Sequence, residues 1–185
     1  SLRRACPGAQ IVYVLGNHEQ RWYTYIEANA PELEFLTQEN LSFASFAGTD
    51  ELGIEVIEPW GEGYNWHGVF ITHGEIIRQN TARANLIKEG TSGVSGHTHR
   101  MSSYFKTDRA GAHAWYESGC LCNLKAPSSP PPTSPGVNDW QQGFIVGFAE
   151  HLEGDDEHKL QVPWNLYPVV ITDHRFVWNG RLYRP

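Results

Sequence analysis

At 185 residues the chain is long enough to build a real hydrophobic core, and 40% hydrophobic with 19% charged residues is a globular composition. The net charge of −7 argues against broad binding to the DNA backbone, which needs clustered Lys and Arg, and no apolar run approaches the roughly 18 residues of a membrane span. Three cysteines, Cys6, Cys120 and Cys122, are too few for a disulfide framework and read first as small buried residues. Cys120 and Cys122 stand two apart in a strand-like segment and are expected on opposite faces if that segment is extended. The opening "SLRRACPGAQ" lacks a signal-peptide core, and a cytoplasmic location is the expectation.

In chain order, "QIVYVLG" at 10–16 is a β-branched run closed by glycine and predicts a buried strand. Residues 19–30 predict a helix stopped by Pro31, while 40–52 is ambiguous, with a helix as one reading. "IEVIE" at 54–58 alternates as a strand does. "GYNWHGVFITHG" predicts a hairpin, "TARANLIKEG" at 81–90 a helix ended by Gly90, and "GVSG" a very short strand. "SSYFKT" and "AHAWYES" predict an antiparallel pair about a turn at Asp108–Gly111. The proline-rich stretch at 126–136 has neither strand nor helix pattern and predicts a surface loop. Beyond it lie two strands about the acidic "EGDDEH", then a hairpin in "HRFVWNGRLY". The pattern predicts one mixed α/β domain over 1–185, a β-sandwich flanked by helices.

Three of these apolar runs end in a histidine corner. "YVLGNHE" presents Asn17 and His18, "VFITHGE" presents His73, and "VSGHTHR" presents His97 and His99. Open α/β sheets place ligand sites at the carboxyl ends of strands, and glycine lets the backbone turn sharply there. Imidazole nitrogen and amide oxygen suit first-row divalent metals, and a core does not need such groups at three strand ends.

In order and strand context, "GNHE", "THG" and "GHTH" resemble the last three motifs of the calcineurin-like metallophosphoesterases. The wider run "GNHEQR…THGE…SGHTHR…GCL…WQQGF" is similar to members found in bacteriophage genomes. The resemblance covers about residues 10–150. It implies a hydrolase with two divalent ions (Mn, Fe, Zn or Ni), acting on a phosphate ester, with nucleic acid or a nucleotide favoured as substrate. It implies that Asn17, His73 and His97 hold the second ion and His99 the first. His18 would face the phosphate and protonate the leaving oxygen, work that suits a group titrating near neutrality. The family's earlier motifs, Asp-x-His and Gly-Asp-x-x-Asp, do not occur before Gly16. The expected fold is therefore the C-terminal two-thirds of such a domain, with a second chain as one source of the remainder. A non-catalytic remnant of the fold, binding a partner or serving in a viral particle, is the alternative.

Arg21 and Arg100 are candidates for phosphate contact, each with a surface or structural role as alternative. Glu19 suits the positive end of a helix. Glu75 is either an orienting group for a metal ligand or an exposed carboxylate. Asn138, Trp140 and Gln141 are candidates for the cleft wall. His67, His113, His151, His158 and His174 match no corner and read as structural or surface histidines.

Overall fold

Residues 2–33, 42–124, 139–150 and 163–185 are described by a computed structural model of the chain. The chain divides into two compact units, Ser1–Tyr64 and Asn65–Pro185. The class is mixed α/β, with several sheets and few helices.

The first unit runs α1 (Leu2–Ala5), β1 (Ile11–Val14), α2 (Asn17–Asn29), a short 3-10 turn at Pro31–Leu33, α3 (Phe43–Ala47) and β2 (Ile54–Ile57). β1 and β2 pair in parallel, Ile11 opposite Ile54 and Val14 opposite Ile57. Parallel pairing demands a long crossover, and α2 and α3 lie within it. α2 starts directly after Gly16, whose N–H donates to the Glu19 carboxylate at 3.1 Å. Glu19 thereby satisfies a backbone donor at the helix start. Leu15 and Ile26 are buried in this unit. The helix expected within 40–52 is only Phe43–Ala47 among the described residues. The Ser42 hydroxyl accepts from Ser45 N–H at 3.2 Å at its start, and Gly48, at φ 64°, ends it in the left-handed region.

The second unit is built on a five-stranded mixed sheet. β3 (Gly63–Trp66) straddles the unit boundary, followed by β4 (Val69–Thr72), α4 (Thr81–Glu89), β5 (Gly93–Ser95), β6 (Met101–Asp108) and β7 (Gly111–Ser118). The strand order is β3-β4-β5-β7-β6. β5 runs parallel to both β4 and β7, while β6 returns antiparallel to β7. α4 is the crossover between β4 and β5. Its Ala82 and Leu86 pack with the fully buried Trp115, with Phe70 and Tyr104 at the edge of the cluster. The Trp115 indole donates to the Ser95 hydroxyl at 3.0 Å, which also accepts from Asn85 at 3.1 Å.

Two hairpins follow: β8 (Gly143–Ala149) with β9 (Trp164–Val170), and β10 (Phe176–Trp178) with β11 (Arg181–Tyr183). The turn of the second is Asn179–Gly180, both at positive φ, as the tightest hairpin turns require. The expected proline-rich loop at 126–136, the acidic turn at 153–158, Asn138, His151 and His158 lie outside the described residues. Among the described residues no helix is long and apolar enough to cross a membrane.

Candidate metal site at the carboxyl ends of three strands

β4, β5 and β7 are neighbours and all point the same way, so their carboxyl ends share one sheet edge. β4 leads into His73, β5 into Gly96–His97–Thr98–His99, and β7 into Gly119–Cys120–Leu121–Cys122. Backbone bonds join these corners: Gly96 N–H donates to His73 carbonyl at 3.1 Å, and Gly119 N–H to Arg100 carbonyl at 2.9 Å.

Here His73 Nε2 lies 3.1 Å from His97 Nδ1. Two imidazole nitrogens bonded at about 2.1 Å to one ion stand roughly 3.0 Å apart at a right angle and roughly 3.4 Å at the tetrahedral angle. The separation lies within the range for two ligands of a single divalent ion, and it is also that of a hydrogen bond between the two rings. His97 and His99 both hold positive φ, 41° and 59°. That region disfavours residues with a β-carbon and recurs at functional sites.

The loop is fastened from below by Glu117, which is 2% exposed. Its carboxylate accepts from the Thr98 and Ser102 hydroxyls. Nothing in the alternation of "AHAWYES" distinguishes Glu117 from an outward-facing residue. The four residues Ala114–Glu117 are nevertheless all buried, so both faces of β7 are covered there.

The cysteines depart from the sequence expectation. β7 stops at Ser118, Gly119 turns at φ 73°, and the two thiols come side by side, Sγ to Sγ 3.2 Å, rather than on opposite faces. Residues two apart share a face even on an extended strand, so the expectation of opposite faces does not hold. Among the described residues, His99, Cys120 and Cys122 are the one set of three His, Cys, Asp or Glu side chains with ligand atoms all within 4.8 Å. Burial, and then the neighbouring Cys122 thiol, push the Cys120 thiol up to about 11.

Trp140 packs edge-on against His99, ring centroids 4.1 Å apart. Gln141 N–H donates to the His99 carbonyl at 2.9 Å, and its side-chain oxygen accepts from Met101 N–H at 2.8 Å. Both residues, expected as candidates for a cleft wall, abut the corner that follows β5. The Arg100 guanidinium donates to Arg78 carbonyl, to Thr81 Oγ1 at 2.7 Å, and to Asp139 at 3.4 Å. Those bonds favour its structural alternative. Glu75 pairs with Lys88 at 2.7 Å on the exposed side of α4. His113 lies 3.3 Å from Asp108, His67 is edge-on to Trp66, and His174 sits at positive φ in a turn.

In the first unit, Asn17 and His18 form the first turn of α2, Asn17 half-buried and His18 exposed, and Arg21 lies exposed one turn on. No family model, curated protein or solved structure matches the chain.

Proposed function

We propose that the chain is a metal-dependent phosphoesterase domain of the calcineurin-like kind, hydrolysing a phosphate ester. The observation that carries this reading is the His73–His97 pair, set 3.1 Å apart on adjacent parallel strand ends within motifs that resemble that family's. An ion in such a site polarises the phosphoryl oxygens and lowers the pKa of bound water. His73 and His97 would hold it through their ring nitrogens, and the Glu117–Thr98 bond keeps the His97–His99 loop in its strained shape. By resemblance alone, Asn17 would be a further ligand and His18 would carry the proton for the leaving oxygen. A hollow lined by Arg78, Asn80 and Arg83 offers positive charge to an anionic ester. That local charge favours a nucleotide or short nucleic-acid end over long duplex, given the net charge of −7.

The test is turnover of a generic phosphodiester with excess Mn²⁺, in this chain and in a version extended at the N-terminus, beside His97→Ala and His18→Ala. His97→Ala is expected to lose bound Mn²⁺ and activity together. His18→Ala is expected to keep Mn²⁺ and lose about 100-fold or more in rate, the scale of a general acid. Inactivity of both lengths with Mn²⁺ bound would favour the non-catalytic alternative.

A further inference from the structure

We infer that His99, Cys120 and Cys122 form a thiolate–imidazole site for one soft divalent ion such as Zn²⁺, open to solvent at its fourth position. The phosphoesterase resemblance gives His99 to its first ion and gives the two thiols no ligand role, so this site is an alternative to that assignment of His99 and does not rest on it. One imidazole with two thiolates is a ligand set that zinc takes readily. The geometry is close to what the ion needs. With zinc–sulfur bonds of about 2.3 Å, two thiolates at the tetrahedral angle stand roughly 3.8 Å apart. The sulfurs at 3.2 Å must separate by a few tenths of an ångström, and the whole set already lies within 4.8 Å.

All three donors are held by one short segment. Gln141 N–H donates to the His99 carbonyl, and Trp140 packs on its ring. Cys120 N–H donates to the Gln141 carbonyl at 3.0 Å, and Gly143 N–H donates to the Cys120 carbonyl at 3.0 Å. The Gln142 side-chain amide donates to the Cys122 carbonyl at 2.7 Å. A site fixed this way loses little freedom when the ion enters. Cys122 is exposed, so the set is accessible to water or a ligand oxygen. On binding, both thiol protons pass to buffer, the sulfurs and the imidazole nitrogen each donate an electron pair, and no oxidant is involved.

The experiment is titration of the reduced, metal-stripped full chain with Co²⁺, followed by Zn²⁺. A sulfur-to-cobalt charge-transfer band is expected to saturate at equimolar Co²⁺ and to bleach when Zn²⁺ displaces it. Cys120→Ser, Cys122→Ser and His99→Ala should each weaken binding by at least about 100-fold, since outer partners alone are worth 10–100-fold. Cys6→Ser, His73→Ala and His97→Ala should leave the band intact, which separates this site from the histidine pair. In the unsubstituted chain, Zn²⁺ should shield Cys120 and Cys122 from alkylation while Cys6 stays reactive. Absence of the band with Co²⁺ in excess, a band that survives both cysteine substitutions, or alkylation indifferent to Zn²⁺ would overturn the inference.

Discussion

Tyr23 shows how much one side chain fastens in the first unit. Its hydroxyl donates to Glu58 at 2.7 Å and accepts from Phe43 N–H at 2.7 Å, so it links α2, the start of α3 and the residue after β2. Burial, then the Glu58 carboxylate, push its pKa up to about 12, against the opposing Phe43 N–H. Tyr13 is pushed up to about 12 as well, by burial and then by its bond to Glu19. A raised pKa means the folded state prefers the protonated phenol. The stabilisation is fully present below the ordinary value of about 10 and is lost as pH rises through about 12. Unfolding followed from pH 9 to 12 should therefore show the first unit losing stability across that window, less steeply in Tyr23→Phe. That substitution should also cost about 1 kcal/mol at neutral pH by leaving Phe43 N–H unpaired. A pH response unchanged by Tyr23→Phe would remove Tyr23 from the account. None of this could be read in "RWYTY", because both partners of Tyr23 come from distant segments. Glu19, by contrast, was legible as a helix-start residue, since its partner is only three positions away.

At the scale of elements, the site depends on β5 being short, parallel on both sides and tightly packed. An added β-carbon on Gly93 would sit 2.5 Å from the Phe70 carbonyl oxygen and 2.5 Å from the Trp115 ring. Backbone and a buried indole cannot both give way. Gly93→Ala should therefore destabilise the second unit by about 1–3 kcal/mol or more, and Trp115→Ala by about 3–5 kcal/mol. Chemical denaturation measures both, and a change below about 0.5 kcal/mol for Gly93→Ala would contradict this packing. The strands and hairpins of this sheet were legible because each is a local pattern: "GVFIT" against "GVSG", and Asp108–Gly111 between two alternating runs. The histidine corners were legible for the same reason. The Gly119–Cys122 segment has the form of the Gly96–His99 corner, a strand, a glycine and then a side chain of a type that can bind metal. The expectation of opposite faces for its two sulfurs meant that the sequence alone did not bring them together. A glycine preceding a Cys-x-Cys, here at positive φ, was the available signal.

For the whole molecule, sequence reasoning reached the mixed α/β class and the separate strand ends, and the structure adds which ends share an edge. Adjacency of β4, β5 and β7 is a property of topology, which no window of sequence contains. Among the described residues, two imidazole nitrogens lie 3.1 Å apart and His99, Cys120 and Cys122 form a second cluster; on the two readings proposed above, manganese and zinc should divide between them. Manganese is the discriminating probe, because it avoids thiolate and accepts imidazole with oxygen ligands. The most direct measurement is an anomalous-difference map from crystals grown with Mn²⁺ in excess. The account predicts a peak at bonding distance from both His73 Nε2 and His97 Nδ1, absent in His97→Ala crystals. A map without density there, with the two nitrogens still bonded to each other, would contradict it.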